Sequence, residues 1–427
     1  METVRIGILG MGTVASGLAH IMALNQGIIQ YRTGKILEIE KVLVKNLNKN
    51  RDVDLDRTRF TINVLEIIDN QNVDIVVELI GGIHPAFEYV RDALKNKKHV
   101  VTANKALIAT HGEELENIAL ENGVRLMYEA SVGGGIPIIN TMINNLPAND
   151  FTEISGIVNG TTNYILTQMT ERNLEFDQAI KEAQEMGFAE ADPSSDVEGD
   201  DAAFKIAILS YIAFGQRIGL NEVPKEGIAH ISREDIKYAD ELGYVIKLIA
   251  SSQKRENEIE LRVHPTFISK KHPLATVKNE FNAVLLKGNA VGEVMLYGKG
   301  AGAMPTGSAV LGDIIAIAKE KFGENKQPIH PSSTKYKIVN KGYSQYYIRM
   351  DVVDKPGVLG YISNIFGKNN ISLASVVQRY KHDLVAPLVF ITHEVERKNI
   401  DDALQEVRTY SNVLKIASII TVEKSII

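Results

Sequence analysis

The chain has 427 residues, 44% of them hydrophobic and 23% charged, which is typical of a soluble globular protein with roughly two to three domains. Its 47 basic and 53 acidic residues give a net charge of −6, which argues against a basic nucleic-acid-binding protein. The absence of cysteine excludes disulfides, cysteine-ligated zinc or iron–sulfur sites and a thiolate nucleophile.

The first ten residues, METVRIGILG, enter a strand-like run without the basic segment and cleavage site of a secretory signal. No apolar stretch approaches the roughly 20 residues that cross a bilayer. We therefore expect a cytoplasmic protein whose partners include neither membranes nor nucleic acids.

The first third of the chain alternates short apolar runs with helical patterns. The run DIVVELI at 74–80 is apolar on both faces, as in strands of parallel sheets. This alternation predicts an α/β fold over residues 1–130, a doubly wound parallel sheet of the Rossmann type. The predicted strands are 4–9, 37–44, 74–80, 99–102 and 125–128, and the predicted helices are 13–24, 85–96 and 113–122.

Residues 131–304 show a different grouping, which predicts an α+β domain with a mixed, largely antiparallel sheet. A helix at about 305–322 is expected to pack back on the first domain. The predicted strands are 151–158, 244–250, 259–268, 282–286 and 293–297, and the predicted helices are 160–172, 175–186 and 199–214.

A polar stretch with two prolines, 323–345, is interpreted as a linker. The tail, 346–427, follows the order β-α-β-β-α-β, which predicts a ferredoxin-like module that could fold on its own. Its predicted strands are 346–353, 372–379, 384–393 and 414–422, and its predicted helices are 357–368 and 400–410.

The sequence GMGTVA at 10–15 follows the first predicted strand and matches the dinucleotide fingerprint G-x-G-x-x-A. Gly10 permits a tight turn, Gly12 lets a phosphate approach the backbone, and Ala15 keeps helix and strand close. Thr13 and Val14 open the helix, whose N-terminus attracts the pyrophosphate. A tight turn without a ligand is the alternative.

The end of the second predicted strand indicates which dinucleotide binds. It carries Lys45, followed by Lys49 and Arg51, and no carboxylate appears before Asp52. Cationic groups there favour the 2′-phosphate of NADP. Lysines that simply face solvent would leave NAD possible.

Four later segments are TANKALIA, GGGIPII, NGTTNYIL and GFAEADPSSDVEGDDAAFK. The last one carries six acids and no base over 187–201. In order and spacing, these segments resemble the signature blocks of homoserine dehydrogenase over residues 1 to about 320. The tail, with DKPGVL at 354–359, resembles an ACT regulatory module.

The resemblance implies interconversion of homoserine and aspartate 4-semialdehyde with NADP or NAD, on the route to threonine, methionine and isoleucine. It implies that residues 131–304 form the substrate-binding and dimerisation domain of a homo-oligomer, a dimer or a tetramer. It also implies roles at matching positions. These are Lys205 and Lys105 as catalytic residues; Glu190 and Asp201 as substrate-binding residues; Gly187, Gly302 and Lys105 at the cofactor; and Glu129 with the carbonyls of Val132, Gly134 and Ile136 at a monovalent cation, Na⁺. From the residues themselves we add Thr161, whose hydroxyl or amide could bind the substrate carboxylate, Asp196 as a further substrate-binding acid, and Lys45 at the cofactor.

The charge states expected of Lys105 and Lys205 bear on their proposed roles. A lysine accepts a proton only if its pKa falls from about 10.4, and Lys105 and Lys205 could lower each other's pKa. Asp201, four residues before Lys205, would instead favour the charged form. We therefore interpret Lys205 as the acid in aldehyde reduction and the base in the reverse direction.

Simpler roles remain open for several of these residues. Lys205 could face solvent, Glu190 could be an ordinary loop acid, and Thr161 could cap a helix. The glycine-rich segment after Glu129 could be a flexible turn.

In the tail, the helix N-terminus behind Gly357 could receive an amino acid's carboxylate, and the resemblance implies feedback by L-threonine. A structural or dimerising tail is the alternative. Two other functions compete: an amino-acid-responsive binding protein and a different NADP-linked oxidoreductase. A phosphorylating semialdehyde dehydrogenase would need a cysteine for its thiohemiacetal, and the chain has none.

Overall fold

The computed structural model of the chain describes residues 1–51, 53–319, 334–378 and 385–423. Several sequence predictions therefore lie partly outside the described residues. These are Asp52, the linker from 323 to 333, the end of the helix predicted to reach 322, the strand ends at 379 and 384, and residues 424–427.

A parallel sheet with the strand order β3-β2-β1-β4-β5-β6 forms the first domain, which confirms the predicted doubly wound Rossmann-type fold. The order reverses between β1 and β4, and ligands bind at the carboxyl ends of strands at such a point. Its strands are β1 (Glu2–Leu9), β2 (Lys35–Leu43), β3 (Phe60–Thr61), β4 (Ile75–Glu78), β5 (His99–Thr102) and β6 (Leu126–Met127).

Helices cover this sheet because its strands are apolar on both faces. They are α1 (Thr13–Leu24), α2 (Gln26–Thr33), α3 (Leu65–Ile68), α4 (Ala86–Lys95) and α5 (Lys105–Glu121).

The crossing from the first domain to the second is built from short turns of helix. They are the 3₁₀ helix Glu129–Ser131, then α6 (Ile138–Asn140), then the π-helical turn Thr141–Asn145.

The second domain is an antiparallel sheet, β11-β10-β7-β8-β9, with helices packed on it. Its strands are β7 (Phe151–Ile157), β8 (Tyr244–Arg255), β9 (Glu258–Ser269), β10 (Phe281–Gly288) and β11 (Gly292–Lys299). Its helices are α7 (Gly160–Arg172), α8 (Phe176–Glu185), α9 (Ser194–Val197), α10 (Asp200–Phe214) and α11 (Arg233–Glu241).

The next helix, α12 (Ala303–Lys319), returns to the first domain and packs against α1. The two helices approach closely at glycines: a Cβ on Gly17 would overlap the carbonyl oxygen of Ala303, and one on Gly307 would lie 2.7 Å from the amide nitrogen of Leu18. Among the described residues, no helix is both long and apolar enough to cross a membrane.

The tail has the ferredoxin-like order that the sequence predicts, with antiparallel strands in the order β16-β13-β15-β14. Its elements are β13 (Gln345–Val353), α13 (Val358–Lys368), β14 (Leu373–Gln378), β15 (Val385–Thr392), α14 (Arg397–Arg408) and β16 (Val413–Val422).

The tail sheet does not stand apart from the second domain. Thr421 and Val422 of β16 pair in parallel with Thr266 and Phe267 of β9, so one sheet runs through both domains. The interpretation of 323–345 as a linker also needs correction, because strand β12 (Lys337–Val339) pairs there with β9. This strand has only three residues, which is too few to give a periodic signal in the sequence.

Candidate active site

The N-terminus of α1 is arranged to receive an anion. Gly10 has φ +98°, and a Cβ there would lie 2.9 Å from the carbonyl oxygen of Leu79, so only glycine fits without strain. Gly12 is the N-cap residue and has open space around its Cβ position. Ala15 is buried and Thr13 exposed, while no side chain caps the helix and its first turn carries no acid. The N–H groups therefore remain available for a phosphate.

A buried carboxylate, which the sequence analysis missed, organises the loops after β4 and β5. Glu78 is fully buried; its Oε1 accepts hydrogen bonds from the amides of Ile80 (2.8 Å) and Gly81 (3.1 Å). Its Oε2 accepts from the hydroxyl of Thr102 at 2.6 Å. Asn104, next to Lys105, donates to the carbonyl of Gly82 at 2.6 Å. An acid inside the apolar run DIVVELI was the available signal.

Lys105, Asp201 and Lys205 meet where the first and second domains face each other. Asp201 Oδ1 lies 2.8 Å from Lys105 Nζ, and its Oδ2 lies 2.6 Å from Lys205 Nζ. The Asp201 side chain is only 5% exposed, while those of Lys205 and Lys105 are 11% and 39% exposed. Lys205 Nζ also donates to the carbonyl of Val158 at 2.7 Å.

The electrostatics of this cluster favour charged lysine. Burial would raise the pKa of Asp201, but the ammonium groups of Lys205 and Lys105 hold it well below its usual 3.8. Burial would lower the pKa of Lys105, yet Asp201, Asp196 and Glu190 together raise it above 10.5. The expectation that the two lysines lower each other's pKa is therefore wrong for Lys105, because a carboxylate lies between them.

Asn159 ties the acidic segment to this cluster. Its Nδ2 donates to Asp196 Oδ1 at 2.6 Å and to Asp201 Oδ2 at 2.8 Å. Its Oδ1 accepts from the amide of Thr162 at 2.8 Å, so Asn159 also caps α7. The hydroxyl of Thr161 donates to the carbonyl of Phe188 at 2.7 Å and is thus engaged within the protein.

The remaining cofactor and substrate candidates lie on exposed loops. Glu190 is exposed, and Gly187 (φ +75°) precedes it after α8. Gly302 (φ +124°) begins the turn into α12. Lys45 is exposed beyond the end of β2.

Arg51, in the same region as Lys45, does not reach outward. Its guanidinium donates to the carbonyls of Lys49 (2.8 Å) and Asn46 (2.7 Å), so it closes the loop on which Lys45 lies.

The predicted cation site surrounds a buried carboxylate. Glu129 is 3% exposed, and its carboxylate accepts from the amides of Ile139 (2.8 Å) and Asn140 (2.6 Å). Its own amide donates to Asp313 Oδ2 at 2.9 Å, a contact with α12 that the sequence did not reveal. The carbonyl of Ile136 accepts from the amide of Ile138 at 2.8 Å.

The other two predicted ligands, Val132 and Gly134, lie in the same turn, and Gly134 has φ +55°. Burial and the neighbouring Glu129 raise the pKa of Asp313 to about 7. In the described part of the chain, no three histidine or acidic side chains are grouped as a transition metal would require.

Comparison with known proteins identifies the family. The profile described as homoserine dehydrogenase, NAD binding domain, matches residues 10–129, the homoserine dehydrogenase profile matches 137–315, and the ACT domain profile matches 346–412. The homoserine dehydrogenase of Bacillus subtilis is 42% identical over 428 residues, with 99% of each chain covered. The chain belongs to the homoserine dehydrogenase family. It is an NAD(P)-dependent oxidoreductase with the activity of that family.

Solved structures agree with this assignment. A homoserine dehydrogenase from Thiobacillus denitrificans is 38% identical, with a TM-score of 0.92 over 99% of this chain and 98% of that one. A hyperthermophilic archaeal homoserine dehydrogenase in complex with NADPH is 29% identical, with a TM-score of 0.64 over 75% of this chain and all of that one. The resemblance to homoserine dehydrogenase that the sequence blocks indicate is thereby confirmed, as is the ACT domain.

Proposed function

We propose that Lys205 is the proton donor when this homoserine dehydrogenase reduces L-aspartate 4-semialdehyde, and the proton acceptor when it oxidises L-homoserine. The observation that carries the proposal is the placement of Lys205 and Lys105 on the two oxygens of buried Asp201. When bound, the nicotinamide ring supplies or accepts the hydride.

The hydrogen bonds of Lys205 support this role. A lysine ammonium has three donors. In the described part of the chain, two are directed to Asp201 and Val158, which leaves one for the carbonyl oxygen of the substrate. The ion pair with Asp201 orients the Lys205 ammonium, and in our proposal this ammonium is the form that meets the substrate. That form polarises the aldehyde and gives up its proton as the alcohol forms.

Lys105 has a related task. It is the first residue of α5 and shares Asp201 with Lys205, so it brings a second positive charge to the same place. We propose that Lys105 stabilises negative charge developing on the substrate oxygen and contacts the cofactor.

For substrate recognition we propose that Glu190 and Asp196 face the amino acid's ammonium group, while Thr161 acts indirectly. The charge of Glu190 contributes to raising the pKa of Lys105, which supports a position of this carboxylate on the same side as the lysine cluster. Through its bond to the carbonyl of Phe188, Thr161 would instead hold the loop that carries Glu190. Asp201 has both oxygens engaged by lysines, so we assign it to orienting them.

We propose NADP(H) as the preferred cofactor. The uncapped N-terminus of α1 and the open space at Gly12 suit a pyrophosphate, and we propose that Gly187 and Gly302 also contact the cofactor. Lys45 would meet the 2′-phosphate, and the archaeal relative is described as a complex with NADPH. Lys45→Ala should weaken NADPH binding and leave NADH binding unchanged in a fluorescence titration.

We also propose a bound monovalent cation, Na⁺, at Glu129. Carbonyl and carboxylate oxygens keep a second lone pair after accepting one hydrogen bond, so Glu129 and the carbonyls of Val132, Gly134 and Ile136 suit a hard cation. Burial raises the pKa of Glu129, and a cation would offset that cost. Replacing Na⁺ by tetramethylammonium should lower activity or the melting temperature, and no change in either would contradict the site.

The ACT domain leads us to propose feedback by L-threonine and a homodimer. Gly357 (φ +91°) stands at the N-terminus of α13, where an effector carboxylate could be held. Inhibition by threonine but not by its D-enantiomer, together with sedimentation of the full chain, would test both parts.

The central experiment supplies aspartate semialdehyde and NADPH to the pure protein and follows nucleotide oxidation. Lys205→Ala should abolish turnover while NADPH binding stays nearly intact. The control is Lys225→Ala, because Lys225 is an exposed lysine that pairs with Asp200. Lys247→Ala would not serve as a control, because Lys247 is buried. Full turnover in Lys205→Ala would overturn the proposed role.

A further inference from the structure

A second buried cluster joins the first and second domains away from the substrate. Glu116 of α5 accepts a hydrogen bond from the Tyr128 hydroxyl on Oε1 (2.7 Å) and from the Tyr211 hydroxyl on Oε2 (2.9 Å). Arg217 Nη2 forms an ion pair with the same Oε2 at 2.6 Å. We call Glu116, Tyr128, Tyr211 and Arg217 the α5–α10 clamp, because three of them connect α5 with α10 and the segment that follows it.

Arg217 lies along one face of α5. Its Nη1 donates to the carbonyl of Ile108 at 3.1 Å, and its guanidinium lies 3.7 Å from the centre of the Tyr211 ring. Ile108, Gly112 and Glu116 are spaced four residues apart and share that face. A Cβ on Gly112 would lie 2.5 Å from Arg217 Nη1, so the absence of a side chain at Gly112 makes room for the arginine.

The clamp and the catalytic cluster connect the same two helices, α5 and α10, at two positions along their length. Lys105 of α5 meets Asp201 of α10, and Glu116 meets Tyr211 further along both helices. The two contacts are eleven residues apart on α5 and ten on α10, which correspond to about 16 Å and about 15 Å. The helices therefore run side by side in the same direction, each belonging to a different domain.

We propose that Glu116, Tyr211 and Arg217 are positioning residues that hold α5 against α10 and so set the place of Lys105 relative to Asp201 and Lys205. This inference rests on the proton-handling role proposed above. Burial and the Glu116 carboxylate raise the pKa of Tyr128 and of Tyr211, so both phenols stay protonated donors. A displacement of about 1 Å at reacting groups can cost about a hundredfold in rate.

The test uses Glu116→Gln and Tyr211→Phe, which remove one charge or one hydroxyl and little volume. We expect kcat for aldehyde reduction to fall about tenfold or more, with the KM for NADPH little changed. Lys105 should also leave Asp201, and its pKa should fall because burial then dominates. The high-pH limb of the kcat profile should consequently move to lower pH, which a merely structural role would not cause.

Matched controls separate positioning from folding. Gly112→Ala should lower kcat although alanine favours helix, whereas Gly27→Ala, in α2 with open space around it, should not. Tyr31→Phe, at a side chain 90% exposed, is the control for Tyr211→Phe. Circular dichroism melting establishes that each variant is folded at the assay temperature.

The outcomes are distinguishable from failure of the proposed function. If Lys105→Met keeps full kcat, the role of Lys105 is wrong and the clamp has no catalytic group to position. If Lys105→Met is inactive while Glu116→Gln and Tyr211→Phe keep the wild-type kcat and pH profile, the clamp inference alone is overturned.

Discussion

Asp201→Asn is the substitution for which the structure gives the sharpest expectation. Asparagine keeps the shape of the side chain but removes its charge, and its amide group would turn N–H donors toward an ammonium. Two lysines would then face each other without a counter-charge, and Asn159 would keep only Asp196 as an acidic partner. Breaking a buried ion pair costs about 3–5 kcal/mol. Because Lys105 is 39% exposed, we take the lower end, about 3 kcal/mol.

That loss should appear as a free energy of unfolding lower by about 3 kcal/mol. Because Lys105 and Lys205 also lose the carboxylate that holds them in place, we expect kcat to fall about a hundredfold, as a misplacement of about 1 Å would cause. The assay is NADPH oxidation with aspartate semialdehyde over a range of pH. The high-pH limb should move to lower pH, since Lys105 loses the carboxylate that raises its pKa. Asp200→Asn is the control, because Asp200 is half-exposed and pairs with the surface residue Lys225.

The pH dependence of the free energy of unfolding provides an independent test of the role of Asp201. The folded pKa of Asp201 lies below 3.8, so its contribution to the free energy of unfolding is present above that pH and is lost as pH falls. Asp201→Asn should remove this part of the acid sensitivity in denaturant titrations. A variant with wild-type kcat, an unchanged pH profile and the same acid sensitivity would refute the assignment of Asp201 as the shared partner of the lysines.

Three further substitutions test packing and charge. Burial lowers the pKa of Lys247 to about 8, so between pH 8 and 10.5 the unfolded chain binds a proton at this lysine that the folded chain does not. The free energy of unfolding of the wild type should therefore rise by about 3 kcal/mol over that range, and denaturant titrations of Lys247→Met should lack that rise. Gly17→Ala, whose Cβ would overlap backbone of α12, should lower the free energy of unfolding by about 2 kcal/mol, whereas Gly27→Ala should not. Arg349→Met leaves the buried carboxylate of Asp235 without its counter-charge and should cost about 3–5 kcal/mol, measured by thermal unfolding.

The sequence predicted the local architecture well because burial leaves a periodic signal. Apolar runs identified five of the six strands of the parallel sheet, but not the two-residue strand β3, and the glycine fingerprint placed the start of α1 at Thr13. The helix predicted at 113–122 begins earlier than expected, at Lys105. The pair Asp201 and Lys205 was also predictable, since four residues on a helix share a face.

Partners from distant segments were not predictable in this way. Periodicity indicates that a residue is buried, but it does not identify which residue it meets. Glu116 with Arg217, and Glu129 with Asp313, are separated by about a hundred residues or more and join only in the fold. The role of Asp201 between two lysines was missed for the same reason, because Lys105 lies on another domain.

The joined sheet gives the ACT domain a continuous hydrogen-bonded connection to the residues around Lys205. From the tail to the active site the strands run β16, β9, β8, β7, each hydrogen-bonded to the next. β7 leads into Val158 and Asn159, which hold Lys205 and Asp201. Tyr347 of β13 also stacks on Phe267 of β9, with ring centres 4.5 Å apart. If the tail shifts on binding an effector, as we propose, the displacement would therefore reach Lys205 through the two intervening strands β9 and β8.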